Sequence, residues 1–251
     1  MKKETVLISM LMILLFVGTA NASLTMIGTA TYGGGTYNLI YEDDSINGGL
    51  VWLDYTSGSD TWQNQMDWAS DLNGTGILTY NLNPGITVTW DGDWRLPITD
   101  ESKCNMSVGF GYEGPDATGY HNYSKGYNMV NSELGHLFYE SLGNLGSYAT
   151  DGTYPQPGSG LQQTGDFNFL QSATYWSGTE YSPYTGLAWL FYYSNGSQLS
   201  RSKDYTFNAL AVRPGQVSAV PLPGAVWLLG TGLTCFGLIR RKVGRRHPVI
   251  V

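Results

Sequence analysis

The sequence predicts an α+β domain of two helices and short antiparallel strands, framed by a cleaved leader and a C-terminal membrane helix. Three observations predict it. Two windows carry apolar residues at helical spacing: Trp62, Met66, Ala69 and Leu72, then Leu134, Leu137, Phe138, Ser141 and Leu142. Around them lie short apolar or alternating runs broken by Gly, Pro and Asn, the pattern of strands joined by tight turns. Near the end, Val217 to Ile239 contains no formally charged residue and is followed by Arg240-Arg241-Lys242.

From the N-terminus, Met1–Ala22 reads as a secretory signal peptide. Lys2 and Lys3 form its positive start, Val6 to Val17 its apolar run, and Ala20-Asn21-Ala22 its small-residue cleavage site, leaving Ser23 as the first mature residue. Leu24–Tyr41 is extended and interrupted by Gly33-Gly34-Gly35. Glu42-Asp43-Asp44 reads as a solvated acidic turn, since it lacks the spacing of a calcium loop. Gly49–Asp54 is a short strand. Asp60 caps the Trp62 helix, and Asn73-Gly74 ends it. Val88–Trp90 and Trp94–Leu96 flank Asp91-Gly92-Asp93, a hairpin-like turn.

Lys103–Met129 is a Gly- and Tyr-rich surface insertion. Asn131 or Ser132 caps the second helix, with Glu133 in its first turn. His136 and Glu140 stand four apart there; two ligands do not make a metal site. Gly143–Gly165 is a loop. Short strands follow, and Tyr192 to Gly196 turns the chain between Leu187–Tyr193 and Gln198–Ser202. Residues 23–215 thus form one exported domain and 216–251 a tail.

Outside the ends, six basic residues face nineteen acidic ones, a formal charge of −13. Such a surface repels nucleic acid and anionic polymers and favours a neutral partner, or an anionic one bridged by a divalent cation such as Ca2+. No motif supplies the calcium site, so no cofactor is expected. Cys104 and Cys235 lie in different compartments and form no expected bridge. The sequence holds no G-x-S-x-G, no H-E-x-x-H and no phosphate-binding Gly loop before a helix, so no catalytic residue is assigned.

Val220-Pro221-Leu222-Pro223-Gly224 opens the tail, an apolar span of about residues 220–239 is long enough to cross a bilayer, and basic residues 240–246 mark the cytoplasmic side. Pro motif, helix and basic stop, in that order at a C-terminus, resemble the PEP-CTERM sorting signal in its Val-Pro-Leu-Pro variant. The extension Val243–Val251 is longer than the usual ending. The resemblance implies a bacterial protein handled by signal peptidase and an exosortase. It would be anchored in the inner membrane as a precursor and then found on the cell surface or in the extracellular matrix.

A second resemblance covers about Gly49–Gly215. Gly-Leu-Val-Trp-Leu-Asp at 49–54, the Trp62 helix, Asp93–Pro97, Asn131–Phe138, Tyr175–Glu180, and Ala188-Trp189 with Ala211–Gly215 come in the order of the DUF1566 (Lcl C-terminal-like) family. That likeness implies a C-type-lectin-like or sulfatase-modifying-factor-like fold. The lectin-like resemblance implies a binding module, and the tail's resemblance implies residence with exopolysaccharide. A structural matrix component and a glycan-processing enzyme stay open as alternatives.

For a ligand, the segment Tyr175 to Tyr181 with Tyr184 and Trp189 is the candidate. Trp176 alternates with Tyr175 and Ser177, so one ring is expected inside and the other outside. Trp176 and Trp189 both belonging to the core is the other reading. An exposed Tyr175, Tyr181 or Tyr184 would stack on a neutral sugar while Glu180 accepts hydroxyl hydrogen bonds. Arg95 and Arg213, each following an apolar strand residue, are expected to be structural, buried and ion-paired.

Overall fold

The computed structural model describes residues 23–43, 48–103, 110–112 and 125–219. The expected signal peptide with Ala20 and Ala22, Cys104, Cys235 and the whole tail from Val220 to Val251 lie outside these residues. So do the expected membrane helix and the basic stop. Among the described residues no helix is long and apolar enough to cross a membrane.

The described residues are mixed and mostly β: two largely antiparallel sheets and two short helices. They open with β1 (Ser23–Tyr32) and β2 (Gly35–Asp43), paired from Ser23↔Asp43 to Tyr32↔Gly35. Gly33 and Gly34 take φ of 54° and 84°, the left-handed pair that a two-residue hairpin turn requires. Then come β3 (Leu50–Leu53), helix α1 (Trp62–Asp71), β4 (Thr79–Leu82) and β5 (Ile86–Trp90). With β11 (Ala211–Ala219) these strands make a six-stranded sheet in the order β4-β1-β2-β3-β11-β5. Tyr80 of one edge packs on Trp90 of the other, with ring centroids 5.5 Å apart. The sheet therefore curls until its edges meet through side chains.

The second sheet has the order β6-β7-β10-β9-β8. Its members are β6 (Phe110–Tyr112), β7 (Lys125–Tyr127), β8 (Thr174–Glu180), β9 (Leu187–Tyr192) and β10 (Ser197–Ser202). The β9–β10 hairpin turns through residues 193–196 as the sequence predicts. Helix α2 (Glu133–His136) runs on into a π-helical turn (Leu137–Ser141), closed by the Leu142 amide on the Leu137 carbonyl. Gly135 is required in it, because a Cβ there would lie 2.1 Å from the Met129 carbonyl oxygen.

Strand periodicity explains why β3 is buried at every residue. Leu50 and Trp52 face a core shared with α2 and the second sheet. Val51 and Leu53 face the inside of the curled sheet. Ile40 and Val212 join the first core, Leu39 and Ala211 the second. A third cluster sets Trp62 and Ala69 of α1 against Leu96, Trp176, Ala188 and Leu190. Trp52, Trp94, Trp176 and Trp189 are fully buried, each contributing on the order of 3 kcal/mol through its apolar surface. Their indole N–H groups all find acceptors: Glu42, the Tyr80 hydroxyl, the Asp60 carbonyl and Glu101.

Several local expectations are corrected. The cap of α1 is Thr61, whose hydroxyl accepts from the Asn64 amide, while Asp60 braces the turn by accepting from the Thr61 amide and the Asn64 side chain. Asp91-Gly92-Asp93 is no hairpin. Gly215 pairs with Trp90 and Arg95 bridges Val212, so the chain on both sides of that turn follows the same strand, β11. Glu42 is buried rather than solvated.

Candidate functional site

The predicted ligand segment divides between interior and surface. Tyr175 and Trp176 are both fully buried, and so is Trp189. The expectation that one of the two neighbouring rings faces outward is therefore wrong. Strand β8 separates two cores: Tyr175 enters the one shared with α2, Trp176 the one under α1. The Tyr175 hydroxyl accepts from the Gln171 amide and donates to the Gln171 carbonyl. Neither Tyr175, Trp176 nor Trp189 can stack on a ligand.

Glu180, Tyr181 and Tyr184 lie at the far end of β8. Glu180 is exposed and ion-paired with Lys203, whose ammonium also lies 4.2 Å from the centroid of Trp62. Tyr181 is buried, edge-on to Trp189 at 5.2 Å, with the Lys125 ammonium 3.9 Å from its centroid. Burial lowers the pKa of Lys125, and nearby Arg201 lowers it further. Tyr184 is 69% exposed and lies roughly parallel to Tyr181, at 6.3 Å and 28°.

Among the described residues Tyr184 is one of three such tyrosines. Tyr154, 60% exposed, stacks on Tyr148 at 4.3 Å and 25°. Tyr205, 58% exposed, lies over Phe207 at 6.2 Å and 5°. In each case a second ring lies roughly parallel to the exposed one. Tyr127 lies beside Tyr148 at 5.1 Å; burial raises its pKa, and the neighbouring Tyr154 and Tyr148 add to the rise. Sequence reasoning reached Tyr184 but missed Tyr154 and Tyr205, which sit in turns without periodicity. The Tyr-rich composition was the only signal for them.

No family model, characterised protein or solved structure matches this chain. Its function must be argued from the residues.

Arg95 and Arg213 occupy different settings. Arg95 holds Glu133 by two parallel bonds of 2.7 and 2.8 Å, with side-chain exposures of 30% and 2%. Glu133 also accepts from the Ile98 amide at 2.8 Å. Arg213 departs from the expectation of an ion pair. Its Nε donates to the Gly92 carbonyl at 2.7 Å and its guanidinium lies 4.4 Å from the Trp90 centroid. Among the described residues no carboxylate is within 4 Å of it.

A serine, a histidine and a glutamate meet in the interior, but not as a nucleophile and its base. Glu42 Oε1 is bonded both to Ser141 and, at 3.0 Å, to His136 Nδ1, while Oε2 accepts from Trp52. In a catalytic triad the imidazole stands between carboxylate and hydroxyl, one nitrogen to each. Here both meet the same nitrogen edge, with Ser141 Oγ 3.5 Å from Nδ1. The group is a structural network joining β2, β3 and α2. It takes His136 away from the pairing with Glu140 that the helix spacing suggested. Among the described residues, no three His, Cys, Asp or Glu side chains gather as a metal site.

Proposed function

We propose that this chain is an exported, exosortase-sorted bacterial surface or extracellular-matrix protein whose domain is a non-catalytic binding module for neutral exopolysaccharide. The observation that carries the binding part is the set of exposed tyrosines, Tyr154, Tyr184 and Tyr205, each with a second ring roughly parallel to it. A tyrosine loses little conformational freedom on stacking against a flat sugar face, so weak contacts add up along a polymer. The exported charge of −13 makes that polymer neutral, or acidic only with a bridging divalent cation.

The sorting part rests on the leader and tail sequences, which imply signal peptidase and an exosortase as processing partners and an inner-membrane precursor. The finer C-type-lectin-like assignment rests on the six ordered motifs. In its support, those motifs meet in space. Arg95 of the Asp93–Pro97 motif grips Glu133 of Asn131–Phe138. The Pro97 carbonyl accepts from the Gly178 amide and the Thr99 amide donates to Thr179.

The test titrates the full chain with neutral and acidic exopolysaccharide at low and high salt. Weak, nearly salt-independent binding to the neutral polymer is expected, reduced roughly threefold to tenfold by Tyr154→Ala, Tyr184→Ala or Tyr205→Ala. Tight, salt-sensitive binding to the acidic polymer without calcium would reject this reading. Binding to neither polymer would leave a structural matrix component in its place.

A further inference from the structure

The curled sheet leaves a cleft of about 210 Å³ where the end of α1 meets the edge strands, its wall including Leu72, Tyr80, Asp93 and Arg213. We propose that this cleft binds the carboxylate of a small organic acid, with Arg213 and Tyr80 as its recognition groups. The site is separate from the exposed tyrosines and does not rest on the polysaccharide reading.

The donors decide the chemistry. Arg213 is half-buried, held in place by the Gly92 carbonyl through Nε and by the face of Trp90. Its orientation is thus set by Nε, while the two terminal nitrogens carry the donors that suit a carboxylate. One Arg213 NH1 hydrogen is donated to the Tyr80 hydroxyl at 3.5 Å, and that hydroxyl also accepts the Trp94 indole N–H at 2.8 Å. With its oxygen used as acceptor, the Tyr80 proton is left to donate. Guanidinium and phenol therefore present donors together, beside a half-buried cation that has no carboxylate counterion among the described residues. Arg95 shows the contrast, since its fork is filled by Glu133.

Size and charge narrow the ligand. At about 210 Å³ the cleft is smaller than the pockets that take drug-sized ligands and suits one monosaccharide acid or a compound of similar bulk. Asp93 on the cleft wall suits a hydroxyl-bearing acid, because it accepts hydrogen bonds from hydroxyls and repels a second anionic group. A polyanion would also meet the whole −13 field, which a single carboxylate meets only once. The acid arrives free or as the terminal residue of an otherwise neutral chain.

Calorimetric titration of the detergent-solubilised full chain tests this, with glucuronate, glucose, and a neutral oligosaccharide ending in glucuronate as probes. Glucuronate should bind, more weakly as salt rises, and glucose should not. Binding of the capped oligosaccharide as well places the acid at a chain end; binding of glucuronate alone places it as a free acid. Arg213→Gln should weaken binding about tenfold or more, whereas Arg201→Gln, the same charge change on β10, should leave it within about twofold. If Arg213→Gln fails to fold, Tyr80→Phe keeps the ring on Trp90 and should still lower affinity severalfold. Absence of glucuronate binding, equal binding of glucose, or unchanged affinity in both site variants would overturn the proposal.

Discussion

A fully buried carboxylate is costly unless its lone pairs are used, and Glu42 meets that condition through Trp52, His136 and Ser141. Glu133 meets it through Arg95 and the Ile98 amide. Arg95→Ala should therefore destabilise the domain by about 3 kcal/mol, because it strands a buried anion. Lys125→Ala loses one cation–ring contact and should cost about 1 kcal/mol or less. Arg213→Ala should fall between them, since it leaves behind a neutral carbonyl and an aromatic face rather than a charge. Urea unfolding of the three variants checks the order, and equal stabilities would count against it.

Longer segments are held by the same economy of backbone partners. The loop before β8 has no ladder of its own, so side chains secure it. Asp54, just past β3, accepts the Asn168 and Phe169 amides at 2.7 and 2.9 Å, and Thr56 donates to the Phe169 carbonyl at 2.6 Å. Burial raises the pKa of Asp54 more than those two amides lower it. The folded protein then holds the Asp54 proton more firmly than the unfolded chain does. The resulting stability is full below the unfolded value near pH 4 and is lost as pH rises through the higher folded value. Asp54→Asn, neutral throughout, should accordingly cost more at about pH 4 than at about pH 7. Melting temperatures of both proteins at the two pH values decide it; a larger cost at pH 7 would contradict the sign.

For the molecule as a whole, the expected route is export through the signal peptide and retention by the tail until processing. A label applied outside intact cells should reach Tyr154 and Tyr184 but not Arg245–Val251. Replacing Pro221-Leu222-Pro223 with alanines should leave a longer, membrane-bound species. Mature protein from unmodified cells that still contains Cys235 would show that the tail is kept as a simple anchor.

The amino-acid order by itself determined what depends on near neighbours. Both helices, the apolar stripes of α1 and α2 and the β9–β10 turn follow from spacing and turn chemistry over a few residues. Tertiary structure alone decided which faces are covered. Alternation along β8 implies one outward ring, but cores on both sides of that strand bury Tyr175 and Trp176 alike. Glu42 looks solvated beside Asp43 and is buried because β3 and α2, far along the chain, bring Trp52 and His136 to it. Arg213 reads like Arg95 in its motif, yet curling of the sheet gives it Trp90, Tyr80 and a cleft in place of a carboxylate. Local sequence sets the conformation of each element; the desolvation of a charge or ring depends on elements packed from afar, which no short window contains.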